Sequence, residues 1–194
     1  MKRLNIVPAP AFQELRNELF TQLEKAGSSL RADRFGALLD PLTEAVFRQG
    51  IQHAGGAEGT IWVADEAGEF LVPAHNSGPR AQEIVGQFKQ PIGSGLICLV
   101  FASEQPFLEN DVARNSQQSK LLDNLLNVHT TALIAVPFYF LRQCRGVISC
   151  VQLSSSGQNG GFHPQDLACV QQLAEVLSRL IDFQFLSTEV GWNR

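Results

Sequence analysis

The sequence contains no apolar run long enough to cross a bilayer. Its longest, Thr131 to Leu141, is about half of the roughly 20 residues that a spanning helix needs. Clustered positive charge is missing too. Fifteen Lys and Arg are scattered singly against nineteen Asp and Glu, for a net charge of −4. Nucleic acid and an anionic membrane surface both call for a basic stripe, so neither is an expected partner. Cysteine is scarce and unpaired. Cys98, Cys144, Cys150 and Cys169 form no CxxC motif and stand among apolar neighbours, which reads as four small buried hydrophobes. His53, His75, His129 and His163 lie far apart with no Cys or carboxylate at ligand spacing, so no metal is expected. After Met1-Lys2-Arg3 only a few apolar residues precede Pro8 and Pro10, which is not a secretory signal. A cytoplasmic protein is the expectation, with no attached kinase, cyclase or DNA-binding segment.

What is present suits one folded domain with helical additions. The chain has 194 residues, 44% of them apolar and 18% charged, which is enough to bury a core without staples. Phe12, Leu15, Leu19, Leu23 and Ala26 recur at spacings of three and four, predicting a helix over 11–26. A second helical region carries Phe35, Leu38, Leu39, Leu42, Val46 and Phe47, and Asp40-Pro41 predicts a kink or a break within it. Thr60–Ala64 and Glu69–Pro73 flank a polar link with a glycine, the pattern of a hairpin. Short helices are expected over 79–87, 96–102 and 121–128. Two long apolar runs, 132–140 and 146–153, flank Arg142-Gln143-Cys144-Arg145 and predict strands covered on both faces. Pro137 predicts a bulge or an unpaired amide in the first of them. Pro164 opens a last helix reaching at least Phe185. These elements make an α+β domain: an antiparallel sheet with helices at both ends of the chain.

Three stretches carry a family resemblance. They are QPIGSGLICLVFASEQPFLENDV (90–112), TALIAVPFYFLRQCRGVISCVQL (131–153) and FHPQDLACVQQLA (162–174). In this order and spacing they resemble the GAF domain family, over residues 59 to about 181. The resemblance implies an antiparallel central sheet of about six strands with helices on both sides. One face would carry a small-molecule pocket and the other the terminal helices. Three units are expected: an N-terminal helical region (1–50), the GAF domain with its C-terminal helix (51–186) and a tail (187–194).

The family's sharper signatures are incomplete in this chain. Its cyclic-nucleotide-binding members carry Asn-Lys after the last central strand, then Phe, three residues and Asp-Glu. Here Gln152-Leu153 and Leu167 break that pattern, although Phe162 and Asp166 match. Without the lysine the buried ionic latch cannot form, and Asp166 is favourable simply as a first-turn carboxylate. Free methionine-sulfoxide reductases share the fold but need a Cys where Ile97 stands. Cys98, one residue later, points about 100° away and has no adjacent cation. No Cys lies near His129, so a covalent bilin is not expected. The resemblance therefore implies a non-catalytic module that binds an unidentified small molecule, with no cofactor named by the sequence. The alternatives are a scaffold with a degenerate pocket, a cyclic-nucleotide site, or a redox enzyme.

Candidate ligand residues follow from the expected pocket. Gly93, Ser94 and Gly95 offer backbone amides at a helix start. Asn110, Asp111, Ser116 and Lys120 lie in the loop and helix that lid the pocket in the family. Tyr139 and Gln152 are candidate polar groups on its floor. The last helix has two apolar stripes, Leu167, Val170, Ala174, Leu177, Ile181 and Cys169, Leu173, Val176, Leu180, Phe183. One stripe suffices to pack on a sheet, so the second, with the first helix, predicts a homodimer. Its output would pass to a separate signalling protein.

Overall fold

The computed structural model describes residues 10–28, 32–157 and 160–190. The side chain of Phe12, residues 158 and 159 of the polar loop and the tail beyond residue 190 lie outside that description. The chain begins with α1 (Pro10–Ser28), then α2 (Ala32–Phe35) and a 3-10 turn at Gly36–Leu38. The Asp40-Pro41 break is real. Pro41 opens α3 (Pro41–His53) and the Asp40 carboxylate caps it, accepting from Thr43 N at 2.7 Å. That bond, first among several, holds the Asp40 carboxyl below its ordinary pKa. Gln184 Nε2 donates to its other oxygen at 2.6 Å.

The sheet follows: β1 (Glu58–Ala64), β2 (Phe70–Asn76), α4 (Ala81–Ile84), β3 (Gln90–Pro91), α5 (Leu96–Ser103), β4 (Phe107–Glu109), α6 (Leu121–Leu126), β5 (Thr130–Phe140) and β6 (Gln143–Leu153). A long helix, α7 (Pro164–Val190), completes the chain. The strands lie in the order β3-β2-β1-β6-β5-β4, and every pairing is antiparallel. The β5–β6 turn is tighter than the sequence predicts. Only Leu141 and Arg142 remain outside the strands, at φ of 47° and 69°, both in the left-handed region. Asp182 of α7 holds this turn by accepting from Leu141 N at 2.7 Å, and the Arg142 guanidinium lies over the Phe20 ring of α1 at 3.8 Å. Pro137 sits where β4 has already ended opposite Ala135, so β5 is paired on one side only. That is where a missing N–H is tolerated, and the ladder shifts register just beyond it, between Phe138 and Tyr139.

Strand alternation then divides the molecule. One set of side chains, including Ile134, Val136, Phe138, Phe140, Ile148 and Cys150, meets α3 and α7 in the larger core. The other set, including Trp62, Leu71, Leu133, Ala135 and Val147, faces α5 and the 3-10 turn at Val112–Arg114. Gly146 lets β1 and β6 approach, since a Cβ there would meet Trp62 O at 1.9 Å. The expected stripe Val170, Ala174, Leu177 and Ile181 on α7 is buried against the sheet. Of the second stripe, Leu173 is buried beside Gly50 of α3, whereas Val176 and Phe183 remain exposed. No described helix is long and apolar enough to cross a membrane.

Candidate functional site

A cavity of about 110 Å³ lies between the second face of the sheet and the segment from α5 to α6. Its floor is made by the side chains that alternation sends to that face: Thr60 and Trp62 of β1, Ser149, Val151 and Leu153 of β6, and Leu133 of β5. Gly95, Leu96 and Ile97 form a wall at the start of α5. Val112, Gln118, Ser119, Leu122, Asp123 and Leu126 form the roof, and Glu58, Asn76, Arg80 and Gln90 complete the lining. Most of this surface is apolar, with a few fixed polar groups, which is the composition of a small-molecule site.

The polar groups are held in place by one another. The Trp62 indole Nε1 donates to Ser149 Oγ at 2.9 Å in a buried contact. Asn76 Nδ2 donates to Thr60 Oγ1 at 2.9 Å while its Oδ1 accepts from Gly78 N at 2.7 Å. In the roof, Asp123 accepts from Thr130 N and Thr130 Oγ1 at 3.0 and 2.9 Å and from Gln118 Nε2 at 3.2 Å, which ties α6 to the start of β5. Arg80 donates to Glu83 and to Leu126 O, and so fastens the end of α6 to the loop before α4. Burial pushes the Glu58 carboxyl above the ordinary glutamate value, and the Asn76 amide and the nearby Arg80 charge only partly offset it.

The nine candidate residues do not converge. Gly95 reaches the cavity, at φ of 97° as the residue capping α5, a conformation that favours glycine. Ser94 is exposed but braces the wall, accepting from Gln90 Nε2 through its carbonyl at 2.9 Å, and Gly93 is exposed outside the lining. Asn110 faces the other way along the chain. Its Oδ1 accepts from Phe162 N at 2.7 Å and its Nδ2 donates to Phe162 O at 2.9 Å, so it clasps the approach to α7. Asp111, Ser116 and Lys120 are exposed outside the lining, and the roof is formed by their neighbours Val112, Gln118 and Ser119. Tyr139 is exposed beyond the end of α5, where its hydroxyl donates to Glu104 Oε2 at 2.5 Å. Gln152 is on the opposite face of the sheet from the cavity. Its amide bonds Gly55 O at 3.1 Å and both the N–H and the carbonyl of Gly161, at 3.1 and 3.3 Å. One residue separates Gln152 from the floor, and in a strand one residue reverses the side. Asp166 accepts from His163 N at 2.7 Å, the first-turn role expected of it.

Sequence reasoning passed over Glu58, Thr60, Trp62, Asn76, Arg80, Gln90, Asp123 and Ser149. A signal existed for Ser149, a hydroxyl inside the apolar run 146–151, and for Thr60 directly opposite it in the β1–β6 ladder. Cys98 does not line the cavity. Ile97 takes that place, and the Cys98 thiol donates to Pro91 O at 3.3 Å with burial pushing its pKa up to about 11.

Known structures share this architecture. The GAF domain of a phosphoenolpyruvate-protein phosphotransferase (ptsP) from Coxiella burnetii superposes with a TM-score of 0.62 at 17% identity, over 94% of this chain and 99% of that one. The GAF-B domain of DevS from Mycobacterium smegmatis gives 0.55 at 18% identity over 76% of this chain and 98% of its own. A free methionine-R-sulfoxide reductase from Neisseria meningitidis, solved in complex with its substrate, gives 0.56 at 19% identity over 96% of this chain and 99% of that one. At these identities the likeness is one of fold. A search of curated proteins finds no match. The family model described as GAF domain matches residues 36–182. Taken with the six-stranded antiparallel sheet and its helices on both sides, this match makes the chain a member of the GAF domain family.

Proposed function

We propose that this chain is a non-catalytic small-molecule sensor that works as a cytoplasmic homodimer and passes its state to a separate signalling protein. The observation carrying this reading is the cavity itself. Its apolar walls are interrupted by fixed polar groups, and its roof is fastened to the rest of the fold at two places, Arg80–Leu126 and Asp123–Thr130. A ligand bound between floor and roof would favour one arrangement of the α5–α6 segment over another, and only such a difference in affinity can shift a conformational equilibrium.

Two features support binding without chemistry. Cys98 and Cys150 are buried thiols with pKa values pushed up to about 11 and about 12, the opposite of an activated nucleophile. On the cavity floor the Ser149 hydroxyl accepts from the Trp62 indole, which is not a base that could activate it. Alkylation by iodoacetamide at pH 7.5 tests this: Cys98 should remain unmodified in the native protein and react on unfolding.

The dimer reading rests on apolar side chains left uncovered on the terminal helices: Leu15 and Leu19 of α1, and Val176 and Phe183 of α7. Light scattering should give twice the chain mass, and the double variant Val176→Asp, Phe183→Asp should give the monomer mass. For the ligand, a thermal-shift screen of nucleotides and metabolites should find compounds that stabilise the protein at saturating concentration. The same compounds should fail with Val151→Phe, which fills the floor. No stabilisation by any compound contradicts the sensor reading.

A further inference from the structure

The charged groups of the cavity are spent unevenly. Arg80, the cation in the lining, directs its guanidinium to the Glu83 carboxylate and to Leu126 O. Asp123 already receives three donors, from Gln118 and Thr130. Glu58 differs from both. It takes part in none of the ion pairs among the described residues.

Gln90 points the same way independently. This side chain is only 2% exposed and turns its amide NH₂ toward Ser94 and the carbonyl of Pro91, which fixes which end is oxygen. Its Oε1 receives no hydrogen bond among the described residues. No fully buried side-chain polar atom there lacks a partner, so this oxygen keeps some exposed surface, and Gln90 is among the residues that line the cavity. Two carboxylates, Glu58 and Asp123, oppose one guanidinium that is already paired to a third. The site is therefore negative in balance.

We infer that the ligand is a small protonated amine, its ammonium on Glu58 and its apolar body over Trp62 and beneath Leu96, Leu122 and Leu126. This rests on reading the cavity as a ligand site and names the ligand's class. A cavity of about 110 Å³ holds roughly seven to eleven waters at about 10–15 Å³ each, so the ligand has on the order of ten non-hydrogen atoms. An ammonium supplies the positive charge that Glu58 is without, and three donors for its carboxylate and the oxygens near it.

Isothermal titration of the full chain with four probes of near-equal shape tests the class: phenethylamine, 2-phenylethanol, phenylacetate and L-phenylalanine. Phenethylamine should bind about tenfold to a hundredfold more tightly than the alcohol, the worth of one hydrogen bond to a charged group. Phenylacetate should not bind. L-Phenylalanine binding as well as phenethylamine assigns the amine to amino acids, and weaker binding assigns it to simple amines. Glu58→Gln should remove the amine's advantage over the alcohol. Because the probe series is read on the unaltered protein, the result does not depend on that variant folding. Phenylacetate or the alcohol binding as tightly as the amine overturns the amine assignment while leaving the cavity a ligand site. Failure of all four to bind overturns the amine assignment. Failure of the broad metabolite screen as well overturns the ligand site itself.

Discussion

The two faces of the central sheet are built from the same strands and finished differently. Toward α3 and α7, Phe35, Phe138 and Phe140 pack ring against ring at centroid distances of 5.2–6.3 Å, and the interior is filled. Polar groups on that side, such as Gln152, are used up in local bonds. Toward α5 and α6, Trp62, Ser149 and Thr60 line open volume, and the covering elements are short: α6 has 6 residues and α5 has 8. Helices so short have little stability of their own, so their position depends on what they pack against. The comparison teaches where this fold can yield. One face fixes the domain, and the other is free to answer a ligand.

The largest expected effect tests the filled face. Phe138→Ala should cost about 3–5 kcal/mol in urea unfolding, because Phe138 is fully buried and its neighbours cannot close over the hole. Leu133→Ala, on the same strand but facing the cavity, should cost less than about 2 kcal/mol, since part of its surface already borders empty volume. Equal losses would remove the asymmetry. Next comes Gln152→Leu, which strands two carbonyls and one amide and should cost about 1–3 kcal/mol. It should leave ligand affinity untouched because Gln152 is behind the sheet. Ser149→Ala, three residues away on the same strand and on the other side of the sheet, should behave inversely. Its stability loss of about 1 kcal/mol should be accompanied by weakened binding, as Trp62 loses the partner that orients it. The smallest effect is electrostatic. Burial raises the Glu58 carboxyl, so the folded state holds this proton more tightly than the unfolded chain does. Stability from that preference is complete below the ordinary glutamate value of 4.5 and is lost as pH rises through the higher folded value. Glu58→Gln should therefore raise the melting temperature slightly at pH 7, and the gain should vanish below pH 4.5.

The fold was largely legible in the sequence, and the site largely was not. Periodicity located the terminal helices, the β1–β2 hairpin and the long central pair, because burial on one face or two leaves a repeating apolar pattern. Asp40-Pro41 and Pro164 marked helix starts through chemistry that needs no tertiary context. The cavity residues carry no such local mark. Glu58, Asn76, Arg80 and Asp123 come from four separate elements, and only the β3-β2-β1-β6-β5-β4 order brings them together. Tyr139 and Gln152 were chosen as polar residues on central strands, but which side each takes depends on the register, and a shift of one residue reverses it. Asn110, Asp111, Ser116 and Lys120 stand out as polar residues near the cavity's cover, but Asp111, Ser116 and Lys120 lie on the outer surface and Asn110 bonds Phe162, while Val112, Gln118 and Ser119 line the cavity.

Amide hydrogen exchange, followed by mass spectrometry with and without a ligand from the thermal-shift screen, tests the division of the sheet most directly. The account predicts faster exchange over 94–128 than over α7 in the free protein, and slowing on ligand binding that is concentrated in 94–128. Equal exchange on the two sides of the sheet, or slowing confined to α3 and α7, would contradict it.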